Sequence, residues 1–388
     1  MTKSSVTYTD IKDSFQAGEF IGNQILSNLE GKFPDVVVVF VSSRHDYAVL
    51  LKAIKKTCNP TMLIGCSSAG EFISNTQGEG AISALAISSD EMQFSVGIGK
   101  DIVKGVKNVA KEIVSSFSGT NNFKFPYKSA LVLADALAGH TDQLIDELNL
   151  LTAGTYQFFG GGAGDDAKFN KTHVFFGTQT YTNAAVTLEI LSLKPLGIGV
   201  RHGWEASSKP MRVTESKGMK LISLNAISAL EVFKEHAKST DQKFDINDPL
   251  PFFLHNVIGI KTANGYHLRV PLNINDDGSI DCASDIPEGS TVSIMKTTSQ
   301  SATQAAKDAL EDALLQMNGQ KASVAFFFDC VATRLRTGSK FSNELNTLQE
   351  GLGSTHYVGC NTYGQIARVD GQFNGFHNCT AVVCVIPE

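Results

Sequence analysis

Uninterrupted apolar runs, not alternating ones, dominate this chain, and each is followed by helical spacing and then by a glycine-rich turn. The first such unit opens on Asp35-Val-Val-Val-Val-Phe40, continues with helix signals over 47–56, and returns through Met62-Leu-Ile-Gly-Cys66 to the turn Ala69-Gly70-Glu71 and a strand at 84–87. The second opens on Ala130-Leu-Val-Leu133, carries a helix over 140–151, and runs through Tyr156-Gln-Phe-Phe159 into Gly160-Gly-Gly-Ala-Gly164-Asp165 and a strand at 185–190. The third opens on Val324-Ala-Phe-Phe-Phe328, with a helix over 339–352, His356-Tyr-Val-Gly-Cys360, the turn Tyr363-Gly364-Gln365, and a last strand at 381–385. From first strand to turn glycine the spacings are 34, 33 and 40 residues. Continuous β-branched runs flanked by helices read as strands buried on both faces. Because each unit ends in a returning strand, the fold class is α/β with mixed sheets.

Between the units the pattern changes to helical periods. Ile11, Phe15, Ile25 and Leu29 mark one amphipathic face, with Asp10 as its cap; Ile102, Val106, Val109 and Ile113 mark a second. Ala302, Ala306, Ala309, Leu310, Ala313 and Met317 mark a third, after cap signals at Ser299 and Ser301. Turns at Asn275-Asp-Asp-Gly278 and Asp285-Ile-Pro-Glu-Gly289 predict a small antiparallel insert over 266–295. The expected division is 1–222 and 223–388, without a flexible linker.

Composition narrows the function classes. With 33 Lys and Arg against 39 Asp and Glu, the net charge is −6, and there is no basic block to track nucleic acid or an anionic membrane. The start is polar and no run approaches a membrane span, so no membrane insertion is expected. Seven scattered cysteines form no C-x-x-C pair, which predicts reduced thiols in a cytoplasmic protein. The 24 Phe against one Trp fit either plain core or an apolar ligand pocket.

Candidate chemistry gathers at the turns. Gly65-Cys66-Ser-Ser-Ala-Gly70 and Gly160-Gly161-Gly-Ala-Gly164 present backbone N–H groups where strands end, suited to an anion or carbonyl, or serve only as sharp turns that need positive φ. Gly359, Cys360 and Tyr363 occupy the like place in the third unit, so three equivalent turns could surround one centre. A nucleophile elbow is incomplete, with Cys66 where the first glycine belongs, and Glu71 stands where a phosphate-binding loop requires lysine. Single histidines suit axial haem ligation or a plain hydrogen-bonded core: His202 beside the lone Trp204, His140 opening a helix, His236, and His377 before the last strand. Arg334 and Arg336 offer planar donor forks for a carboxylate, a haem propionate or an amino acid.

Together these segments resemble the FIST family, intracellular signal-transduction sensory proteins of bacteria with N- and C-terminal FIST domains. The resemblance rests on Ile64-Gly-Cys-Ser-Ser-Ala-Gly-Glu71, Phe159-Gly-Gly-Gly-Ala-Gly-Asp165, Gly199-Val-Arg-His-Gly-Trp204, Asp277-Gly-Ser-Ile280, Ile286-Pro-Glu-Gly289, Gly359-Cys-Asn-Thr-Tyr-Gly-Gln-Ile366 and Phe376-His-Asn-Cys-Thr380. Gln365 and Cys379 depart from the Glu and Gln that family patterns tend to carry. The resemblance implies ligand sensing without catalysis. Its stand-alone haem-binding branch implies haem b held by a histidine, with His202 first among the candidates. That branch senses nitric oxide and controls a partner histidine kinase or cyclic-di-GMP enzyme, and a homo-oligomer is among the expected partners. The alternative is a sensor for an amino acid or another metabolite without haem; a Cys66- or Ser68-dependent enzyme is the third reading.

Overall fold

In the computed structural model, which describes residues 2–74, 76–120, 122, 124–369 and 375–388, the three units are real and larger than their sequence signature. Each begins with an outer strand and a helix that precede the expected pattern. The first repeat runs strand Thr2–Thr9, helix Ser14–Asn28, leading strand Val36–Ser42, helix Tyr47–Cys58, turn strand Met62–Ser68, and returning strand Ile82–Ser89. The second runs Met92–Lys100, Val106–Ser115, Tyr127–Ala134, Thr141–Leu151, Gln157–Gly162 and Ala184–Ser192 in the same order. The third runs Gly197–Arg201, helix Ser299–Gln316, Ala322–Cys330, helix Phe341–Leu352, His356–Thr362 and Ala381–Pro387.

Short hairpins, which the sequence pattern does not announce, lock the repeats together. Each follows a glycine turn and leaves its own sheet. The first repeat's hairpin, Glu71–Ile73 with Thr76–Gly78, pairs with the third repeat's turn strand through Val358↔Ile73 and Cys360↔Glu71. The second repeat's hairpin at Val174–Phe176 pairs with the first through Val174↔Cys66. The third repeat's hairpin at Gln365–Arg368 pairs with the second through Gln365↔Gly161. Three six-stranded sheets of identical order result, each completed by a neighbour's hairpin.

Hydrophobicity then decides the layering. The leading strand Val36–Ser42 is buried throughout because one face meets the helix pair Ser14–Asn28 and Tyr47–Cys58 and the other meets the other two sheets. Phe40 packs edge-on to Phe328 with ring centroids 5.5 Å apart, and Phe159 lies 5.7 Å from Phe326, so all three sheets share one interior. The Phe excess is therefore mainly core. Phe158, Phe159 and Phe175 are fully buried between strands and helices, while Phe252 and Phe253 close a separate core against Phe233.

Local caps depart from expectation in two places. The first helix is capped by Asp13, whose carboxylate accepts from the Gln16 N–H at 2.8 Å, not by Asp10; Ile11 precedes the helix. The long helix Ser299–Gln316 is capped by a reciprocal Thr298–Ser301 pair, one residue ahead of the expected signal. The insert is also larger than 266–295. It leaves the third repeat after Arg201 and returns at Ser299, and it builds a nine-stranded sheet that includes Met211–Lys217, Lys220–Leu224, Val257–Thr262 and Thr291–Lys296. A boundary at 222 falls inside the strand Lys220–Leu224.

Candidate functional site

The three glycine turns do converge, and their backbone groups are largely used on one another. The Ala69 N–H donates to the Asn361 carbonyl at 2.9 Å and the Asn361 N–H to the Gly70 carbonyl at 2.8 Å. Gly164 N–H donates to the Ser67 carbonyl at 2.9 Å, and Gly162 N–H to the Gly364 carbonyl at 2.9 Å. These groups are thereby satisfied within the protein and do not form an anion cradle. The side chain after each turn glycine acts as a clamp. Glu71 accepts from the Ala81 N–H at 3.1 Å and the Ser68 hydroxyl at 2.5 Å; Asp165 accepts from the N–H groups of Phe169, Asn170 and Lys171; Gln365 accepts from the Thr380 N–H at 3.2 Å and donates to Thr362 at 2.8 Å. Glutamine at 365 completes a neutral network, so no charge is needed there.

Above the first turn lies a polar pocket of about 340 Å³, bounded by Glu71, Glu79, Arg334, Ser339 and Asn361. Arg334 reaches it from the short helix Val331–Thr337, and Asn361 from the third repeat's turn strand. Asn361 is buried, and neither its amide oxygen nor its amide nitrogen has a hydrogen-bond partner; the Arg334 Nε is likewise unpartnered. The Arg334 Nη1 donates to Glu79 at 2.6 Å. Gly70 makes the arrangement possible: at φ +134°, a Cβ there lies 2.7 Å from Asn361 Oδ1 and 3.2 Å from Arg334 Cζ. Burial pushes the Glu71 carboxyl up to about 8, against the pull of the Ser68 hydroxyl bond.

That shift has a measurable consequence. Folded Glu71 keeps its proton to about pH 8, whereas an unfolded glutamate releases it near 4.5. Stability is therefore greatest below the lower value and falls as pH rises through this window. Glu71→Gln keeps both hydrogen bonds without a charge to desolvate. In urea titrations it is expected to match wild type at pH 4.5 and exceed it at pH 8 by about 4 kcal/mol; parallel pH profiles contradict this assignment.

The remaining candidates separate. Cys66 and Cys360 face each other in the fully buried interior, where burial raises the Cys360 thiol, and Ser68 is buried with its hydroxyl bonded to Glu71. Gly65, Gly160 and Gly359 lie on strands pressed against the leading strand of their own repeat. Arg336 diverges from Arg334: its guanidinium carbon sits 5.3 Å from the Trp204 ring centre, above the buried carboxyls of Asp329 and Glu344. Burial and the charge of Asp329 raise Glu344, so the pair shares a proton, a buried site that the sequence pattern did not mark.

The candidate histidines separate. His236 sits in the insert core, 3.2 Å from the Asn256 amide oxygen, and His140 stands at φ +59° ahead of the helix Thr141–Leu151. His202, His267 and His377 lie close together. His267 and His377 pack edge to face at 5.1 Å, and burial lowers both, His267 to about 4. Tyr363, by contrast, stacks on Phe169 at 4.4 Å and donates its hydroxyl to Asp165.

Histidine-ligated haem requires an imidazole nitrogen facing a slot of macrocycle size. His202 Nε2 lies 2.9 Å from the Tyr266 carbonyl, and its Nδ1 accepts the Trp204 N–H at 3.3 Å. The crevice it shares with Trp204 and Arg336 measures only about 10 Å³, and the wider groove beyond is lined by polar residues such as Thr298, Gln300 and Gln304. The residues in this arrangement do not fit the group. Among the described residues, no cluster of three or more His, Cys, Asp or Glu is placed to hold a metal ion.

A second, apolar cleft lies across the helix Val331–Thr337, between the repeats and the insert. Interlocked repeats with two clefts on one short helix have the form of a ligand-binding module. The chain matches the FIST N domain model over residues 35–227 and the FIST C domain model over 229–368, and it belongs to the FIST family of sensory domains. It is similar to an uncharacterized protein of Methanocaldococcus jannaschii, 23% identical over 321 residues, which cover 78% of this chain and 62% of that protein. The chain therefore spans less than two thirds of that relative's length. Among solved structures it is similar to cyanuric acid hydrolase from A. caulinodans, at TM-score 0.34, 6% identity and 99% coverage of both chains. It is also similar to phosphoribosylformylglycinamidine synthase II from Thermotoga maritima, at TM-score 0.24, 9% identity, 99% of this chain and 71% of that one. The two family domains divide the sequence in two, while the structure divides it into three repeats and an insert.

Proposed function

We propose that this protein senses a small carboxylate-bearing metabolite, an α-amino acid being the best match, and passes the signal to a partner histidine kinase or cyclic-di-GMP enzyme. One observation carries the reading: Asn361 is buried with both amide atoms unpartnered beside the unpartnered Nε of Arg334. A buried polar group without a partner costs about 1–3 kcal/mol, and a ligand supplying the missing partners recovers it. The carboxylate accepts from Arg334 and the Asn361 amide nitrogen, while the ammonium donates to the Asn361 amide oxygen and faces Glu79. With Glu71 protonated at neutral pH, Glu79 is the anion that meets the ammonium.

Thermal-shift and calorimetric titration with amino acids, small carboxylates and their methyl esters tests this. A free carboxylate is expected to bind, its ester to bind at least about tenfold more weakly, and Arg334→Ala and Asn361→Leu to lose binding by about ten- to hundredfold. Absence of any ligand in the panel, or binding unchanged in both variants, contradicts the proposal. A Soret band after haem b loading that nitric oxide shifts and His202→Ala removes would replace it with the haem reading.

A further inference from the structure

The apolar cleft on the far side of the helix Val331–Thr337 is a second binding site, and its lining defines a different ligand. We infer that it takes a compact, uncharged, mostly hydrocarbon molecule bearing a single N–H or O–H donor. Its volume is about 80 Å³, several times the ~10–15 Å³ that one water occupies. Leu254 and Val270 of the insert face Val331 and Leu335 of the helix, with Tyr363 at the glycine turn. Among the described residues, no charged side chain borders it. A wall of this kind holds water poorly and favours apolar occupants.

One polar feature breaks the wall. Asn378 borders the cleft at 2% exposure; its Nδ2 donates to the His377 carbonyl at 3.3 Å, and its Oδ1 has no partner. Asn378 Oδ1 is thus the one buried, unpartnered side-chain acceptor among the described residues of the cleft lining. An anion is excluded by that acceptor, and a cation by the absence of any counter-charge. A neutral donor on a hydrocarbon frame satisfies both conditions. The carboxylate pocket draws on Glu71, Glu79 and Asn361 instead, so the two sites share only the helix and need not take related molecules.

Indole and its carbon isostere indene are the probes, with binding read by calorimetry on the full chain. Indole is expected to bind saturably, and indene about tenfold more weakly, because only indole pairs with Asn378. Asn378→Leu is expected to abolish that preference while still binding indene. Ala283→Phe, at a half-buried position on the rim, fills the cleft and is expected to weaken both probes at least about tenfold with the fold intact by circular dichroism. Arg334→Ala is expected to leave indole binding unchanged, which separates this site from the carboxylate pocket. Failure of indole to bind at millimolar concentration, equal affinity for indene in wild type, or unaltered binding in folded Ala283→Phe overturns the inference.

Discussion

Gly359→Ala is expected to destabilise the protein by about 3 kcal/mol or more, with a lowered urea midpoint as the readout. A Cβ at this position lies 2.0 Å from the Phe327 carbonyl oxygen and 2.4 Å from the Phe72 ring. Neither neighbour can yield cheaply. Phe327 belongs to the leading strand of the same repeat, paired in parallel register with Gly359, and Phe72 belongs to the hairpin exchanged from the first repeat. The added methyl group must therefore part both the parallel strand pair and the joint between repeats. Gly65 has the same relation to the Val39 carbonyl, at 1.9 Å, and its alanine variant is expected to behave alike. A loss below about 1 kcal/mol in both variants contradicts the close strand approach.

Arg269→Met is expected to cost about 3 kcal/mol and to loosen the insert from the repeats. Arg269 is buried at the end of the strand Gly265–Arg269 and joins three parts of the molecule. Its Nη2 donates to Asp142 at 2.9 Å, its Nη1 to the Phe376 carbonyl at 3.3 Å and its Nε to the Asp285 carbonyl at 3.0 Å. Asp142 also accepts from the Phe376 N–H at 2.8 Å, so one carboxylate and one guanidinium hold the insert, the second repeat's helix and the third repeat's hairpin. Methionine fills the volume but removes the guanidinium donor from Asp142 Oδ2 and from the carbonyls of Leu268, Asp285 and Phe376. Limited proteolysis is expected to cut faster at the insert junctions near 204 and 296. A double-mutant cycle with Asp142→Asn gives the coupling directly, and a coupling near zero means the insert is held by apolar contacts alone.

Legibility in the sequence followed the physics of each signal. The leading strands were readable because burial on both faces demands unbroken apolar runs such as Val36 to Val41, and turn glycines mark where those strands stop. The exchanged hairpins were not, because strands of three or four residues carry no periodicity and their partners lie in another repeat. The insert was underestimated for a related reason: Met211–Lys217 is largely exposed and reads as polar loop. In the candidate site, Gly70, Glu71 and Arg334 were visible as motif residues. Asn361 stood inside the motif Gly359-Cys-Asn-Thr-Tyr-Gly-Gln-Ile366 but was not singled out, since only its burial without partners distinguishes it from any other asparagine in a strand.

The α/β class with its three repeated turns was determined by sequence alone, since it depends on local propensity and on the spacing of apolar runs, and the family was legible through the resemblance of its motifs. Tertiary structure decided which turns meet, that their N–H groups are spent on one another, and that Arg334 and Arg336 face opposite ways. It also decided that two clefts of opposite character share one helix. Each of these depends on contacts between segments up to hundreds of residues apart, which no local pattern encodes.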